Sequence, residues 1–97
     1  MKIFMLKDGF VYLGEGAPVN NALLGKSILI KCAQNIRRWG TNKNIGQLAI
    51  EGMQPETVLD YTGTITVPLG QIHHVIDISE KALKTFNYDR QDSTISV

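Results

Sequence analysis

Residues with chemical potential gather in one short stretch, Ile36-Arg37-Arg38-Trp39-Gly40-Thr41-Asn42-Lys43-Asn44. It holds two adjacent arginines and the chain's single tryptophan. An indole offers a flat face on which a nucleobase stacks, worth about 1–3 kcal/mol per base. A guanidinium holds a phosphate through two parallel hydrogen bonds. Gly40 lets another backbone or a ligand approach closely. Thr41 and Asn42 add donors for phosphate or base edges. The stretch falls where a strand hands over to a helix, whose first N–H groups favour an anion. Arg37, Arg38, Trp39, Thr41 and Asn42 are therefore the candidate ligand-binding residues. The competing reading is structural, because a lone tryptophan in a small domain often fills the core and arginines often stack on it.

Catalytic chemistry finds no comparable cluster. His73 and His74 are adjacent, and neighbours on a strand point to opposite faces, so the two are not expected to share a metal. His74 reads as a packed residue and His73 as a solvated or interface one. Cys32 lies on the apolar side of an expected strand and reads as an inert thiol. Asp60 and Asp77 are not singled out by their spacing. The chain has no zinc pair, EF-hand loop, P-loop, dinucleotide glycine fingerprint or nucleophile elbow. The expectation is a binding protein, not an enzyme, with no catalytic residue, metal or cofactor.

Composition narrows the partners. Ninety-seven residues make one domain with a thin core. The hydrophobic share of 43% against 20% charged residues is that of a folded chain. A net charge of +1 argues against duplex nucleic acid, which needs a strongly basic face. One cysteine excludes an internal disulfide and fits a reducing compartment. The sequence shows no secretory pattern and no apolar run of membrane-spanning length, so cytoplasmic localisation without a membrane partner is expected.

The positioning elements read as follows. Asp8-Gly9 suits a two-residue hairpin turn between Lys2–Lys7 and Phe10–Gly14. That turn sets Leu6 opposite Val11, Met5 opposite Tyr12 and Phe4 opposite Leu13. Phe4, Leu6, Val11 and Leu13 then share one face, with Ile3, Met5, Phe10 and Tyr12 on the other. Two apolar faces need two covers, which suggests a second subunit, unless a small barrel with an internal helix covers both. Glu15–Lys26 reads as a loop and Ser27–Ala33 as a strand, with Ile28, Ile30, Cys32 and then Ile36 inward. Asn44 caps a helix carrying the stripe Ile45, Leu48, Ala49 and Met53, which Gly52 and Pro55 end. Thr57–Tyr61 and Gly63–Leu69 read as strands around a Thr62-Gly63 turn. Gln71–Ile78 is a last strand, with Ile72, His74, Ile76 and Ile78 on one face. Ser79 caps a short helix over Glu80–Phe86. The fold class expected is α+β: a small β-rich domain of about five to six strands. They form an antiparallel sheet or partly open barrel, with one central helix and a short C-terminal helix. The domain spans residues 1–86, and 87–97 form a flexible tail.

The order of these residues carries a resemblance. A hairpin containing Gly14 is followed by an apolar strand, Ile36-Arg37-Arg38-Trp39-Gly40, and the helix Gly46-Gln47-Leu48-Ala49-Ile50-Glu51-Gly52. Val67-Pro68-Leu69 and Ile76-Asp77-Ile78 come after. This resembles a widespread family of small phage and prophage proteins, over about residues 3–85. That family in turn is similar to the phage anti-CBASS sponges. The resemblance implies immune evasion in the host cytoplasm by sequestering a cyclic dinucleotide, such as 3′3′-cGAMP, without cleaving it. It also implies a homo-oligomer, with a tetramer favoured. The long Gly16–Gly25 segment and the tail from Asn87 depart from the family pattern and could reshape the pocket. The alternative is a phage structural or protein-interaction module with no nucleotide ligand.

Overall fold

A computed structural model of the chain describes residues 1–86. The expected tail, residues 87–97, lies outside them. The strands are β1 (Lys2–Leu6), β2 (Val11–Asn21), β3 (Gly25–Arg38), β4 (Val58–Pro68) and β5 (Ile72–Asp77). Helix α1 (Ile45–Glu51) joins β3 to β4, and a second helix, α2, covers residues 80–86. The strands form one open antiparallel sheet in the order β4-β3-β2-β1-β5. This is the α+β class the sequence indicates.

The sheet is strongly curled. β4 and β5 sit at opposite ends of the strand order, four spacings apart, or about 19 Å in a flat sheet. A 3-10 turn of only three residues, Leu69–Gln71, joins them. Such a link reaches at most about 14 Å. The two ends must therefore curve toward each other. Irregularities in the ladders permit that curvature. The β2–β3 register shifts between Leu13 and Glu15, and the β3–β4 register shifts after Ile30 and again after Ala33. Cys32, in the gap, has a φ of 53°, and Gly63 opposite Ala33 has a φ of 97°. Bulges of this kind bend a strand and increase its twist.

Curling gives the sheet two cores. One face packs under both helices, with Ile3, Val11, Leu13, Ile36, Ile45, Leu48, Ala49, Ala82 and Phe86 buried together. The other face closes on itself around Phe4, Ile30, Ala33 and Val67, flanked by Leu6, Tyr12, Ile28, Ile65 and Ile72. Both faces of the first hairpin are thus covered by the chain's own elements. The need for a second subunit to cover one of them disappears.

Several expectations are corrected in detail. The first hairpin pairs Ile3 with Leu13, Phe4 with Tyr12 and Met5 with Val11, one residue away from the expected register. The cause is the turn. The Gly9 N–H donates to the Leu6 carbonyl, the Leu6 N–H donates to the Phe10 carbonyl, and Gly9 has a φ of 97°. This is a three-residue loop ending in a left-handed glycine. The Asp8 carboxylate accepts from the Phe10 N–H and holds it. The shift moves Val11 and Leu13 onto the Ile3 face and Tyr12 onto the Phe4 face. Glu15–Lys26 is mostly strand, not loop, with only residues 22–24 turning. Pro18 is tolerated because this part of β2 has β3 as its one ladder neighbour. Thr62-Gly63 is a bulge inside one continuous strand, β4, not a turn between two.

The helices follow the sequence more closely. The Asn44 side chain accepts from the Gly46 N–H at 2.8 Å, and Ile45, Leu48 and Ala49 are buried. The Gln47 side chain reaches back and accepts from the Lys43 N–H at 3.2 Å. The Gly52 N–H closes the helix on the Leu48 carbonyl. Ser79 accepts from the Ala82 N–H and donates to the Ile50 carbonyl, so one hydroxyl caps the start of α2 and the end of α1.

Candidate ligand-binding groove

Trp39 follows β3 directly and is held there by backbone restraints. The Thr57 hydroxyl donates to the Trp39 carbonyl at 2.7 Å and accepts from the Gln54 N–H at 2.9 Å. Gly40 turns the chain with a φ of 69°. A Cβ at Gly40 would lie 2.3 Å from the Glu56 carbonyl carbon and the Thr57 nitrogen, so only glycine fits. The chain can then enter α1 within a few residues.

The indole does not enter the core. Trp39 is 36% exposed and belongs to neither buried cluster. It forms one wall of an open groove of about 400 Å³. Met5, Asn44, Ile45, Gly46, His74, Val75 and Ile76 form the rest. The groove therefore runs from the end of β3 and the start of α1 to β5, across β1. Its lining is mostly apolar, with Asn44 and His74 as polar groups. Its volume falls within the range of about 300–1,000 Å³ typical of small-ligand sites.

The other candidate residues lie elsewhere. Arg37 donates from Nε to Asp60 on β4 at 2.7 Å and from Nη2 at 3.3 Å. The Asp60 hydrogen bond, then its charge, raises the Arg37 pKa above its ordinary value. Arg38 approaches Glu56 at 3.8 Å. Each arginine is thus answered by a carboxylate, and neither lines the groove. Thr41 and Asn42 sit on the β3–α1 connection, outside the groove wall. Of the five sequence candidates, the groove takes in Trp39 alone. Lys43, beside the groove residue Asn44, has no ion pair among the described residues.

The sequence pattern predicts a packed His74, but a bulge in β5 leaves it exposed. On β1, Met5 and Leu6 are adjacent, yet they pair with His74 and Ile72, which leaves His73 as an extra residue. The bulge sends Ile72 to the second core, not to the face of Ile76, and leaves both histidines exposed. Cys32 is corrected too: it is half-buried at the β3 bulge, not packed on an apolar strand face. Sequence reading missed Met5, Ile45, Val75 and Ile76 as groove residues because their meeting depends on β5 lying beside β1.

No family model, curated protein or solved structure matches the chain. Among the described residues no helix is long and apolar enough to cross a membrane.

Proposed function

We propose that the chain is a non-catalytic binding module that stacks a flat heteroaromatic group on Trp39. A cyclic dinucleotide such as 3′3′-cGAMP is the favoured ligand. The observation that carries this reading is the placement of the indole. It is tethered through its carbonyl, partly exposed, and faces an open groove, not its own core. One base fits against the indole among Met5, Ile45 and Ile76, while Asn44 and His74 meet polar edges. Phosphate would be met by Lys43, next in sequence to the groove residue Asn44, or by arginines released from Asp60 and Glu56. Surface ion pairs of that kind exchange partners at little cost.

Sequestration in a host cell is what the resemblance to phage proteins implies, and the groove offers such a ligand a stacking surface. Such a sponge lowers the free signal mole for mole, so it needs abundance or tight binding. The resemblance also implies a homo-oligomer, in which a second copy of the chain would cover the open side of the groove. Light scattering on the pure protein tests the assembly.

Calorimetry with a panel of cyclic dinucleotides tests the ligand. Saturable heat with at least one member, and recovery of that ligand intact after denaturation, is the expected result. Folded protein that gives no heat with any of them contradicts the reading.

A second reading has its own observation. Leu23, at the tip of the β2–β3 hairpin, is 93% exposed, and Leu24 beside it is also exposed. A protein-interaction module would dock through that tip. Leu23→Ser would then abolish capture of a stoichiometric partner and leave the Trp39 groove irrelevant.

A further inference from the structure

The β5 bulge brings two imidazoles together that regular strand geometry would separate. His73 and His74 approach through their Nδ1 atoms, with ring centroids 4.1 Å apart and planes inclined at 55°. The extra residue opposite the Met5–Leu6 step is what turns both rings to one side. Each side chain is exposed, and neither has another partner among the described residues. A histidine pair is a borderline-soft nitrogen donor set, matched to late first-row transition metals and not to calcium or magnesium.

The geometry points to the His73–His74 pair as a two-imidazole chelate for a late divalent transition metal, with Cu²⁺ held tightest. Metal–nitrogen bonds of about 2.0–2.1 Å bring two imidazole nitrogens on one ion to roughly 3 Å apart. Small χ rotations of two exposed rings reach that separation from their present arrangement. The bulge supplies the preorganisation, since the second imidazole already stands beside the first and binds as an intramolecular ligand. Among the described residues no group of three or more His, Cys, Asp or Glu converges. The remaining coordination positions therefore belong to water or to an anionic ligand. His74 also lines the Trp39 groove, so the ion would stand at its rim. The metal site shares His74 with the groove but does not depend on the groove's ligand, so it is tested with the metal alone.

The ordering of metals follows from ligand type. For imidazole donors affinity climbs toward Cu²⁺ and falls at Zn²⁺. The ions bind neutral imidazole and displace only water, so no redox partner is required.

The experiment titrates untagged protein with CuCl₂ alone and then with ZnCl₂ alone, read by calorimetry and, for copper, by electron paramagnetic resonance. One Cu²⁺ per chain with hyperfine splitting from two nitrogens is expected, with weaker Zn²⁺ binding. His73→Ala and His74→Ala should each weaken Cu²⁺ binding by about tenfold or more, through loss of the preorganised second ligand. The double variant should lose the site while keeping the thermal transition of the parent. Because both side chains are exposed, these variants are expected to fold. Equal copper affinity in parent and double variant means that the N-terminal amine or scattered side chains bind it, and overturns the assignment. A one-nitrogen spectrum, or no binding at millimolar metal, overturns it as well.

Discussion

Trp39 joins local backbone chemistry to the proposed activity. Its carbonyl is fixed by Thr57, and its ring is left partly in solvent. Trp39→Ala should therefore cost less than the roughly 3–5 kcal/mol lost on truncating a fully buried aromatic residue. Urea denaturation should place the loss below about 2 kcal/mol, whereas calorimetry should show ligand binding abolished. Thr57→Val keeps the shape and removes both hydrogen bonds of the hydroxyl at a buried position. A loss of about 1–3 kcal/mol is expected, with ligand affinity falling as the indole loses its anchor. The sequence made Trp39 legible because one residue type carried the chemistry. It did not reveal the arginines' carboxylate partners, Asp60 and Glu56, because these come into reach through β4 pairing and the turn before it.

At the level of elements, capping signals are local in the sequence whereas strand register is not. Asn44, Gly52 and Ser79 act within a few residues of themselves, and each caps as its type dictates. Asp8-Gly9 marks a turn, but two-residue and three-residue loops share that dipeptide. One residue of difference exchanged the faces of Val11, Tyr12 and Leu13. The bulges at Cys32, Gly63 and His73 were hidden because each exists only relative to a neighbouring strand. The β1–β5 pairing also carries an ion pair between Lys2 and Asp77. The Lys2 hydrogen bond, then its charge, lowers the Asp77 pKa below its ordinary value of 3.8. A depressed carboxylate pKa contributes stability that is present above the unfolded value and lost as pH falls through the folded one. Asp77→Asn should therefore remove part of the acid dependence of thermal stability below about pH 4 and leave its behaviour at higher pH nearly flat.

For the whole molecule, curling of the sheet decides where the groove lies. A short Leu69–Gln71 link forces the two sheet ends to curve toward each other, and β5 reaches the side of β1 opposite β2. That position brings His74, Val75 and Ile76 to the Trp39 wall. The class and the helices could be read from periodicity, whereas this closure is a long-range consequence of strand order. The two cores share β1, whose alternate residues Ile3 and Phe4 serve one core each. They should consequently unfold as one unit. Ile30→Ala in one core and Phe86→Ala in the other should each cost about 2–5 kcal/mol, with fluorescence and circular dichroism transitions staying coincident. The proposed function then rests on the single indole at the groove wall, and as the chain's only tryptophan it reports on itself. Tryptophan fluorescence during titration with the cyclic dinucleotide panel is the most direct measurement. Saturable quenching by at least one ligand, at a stoichiometry matched by calorimetry, is the result expected. Fluorescence unchanged by every ligand, in protein whose thermal transition shows it folded, would contradict it.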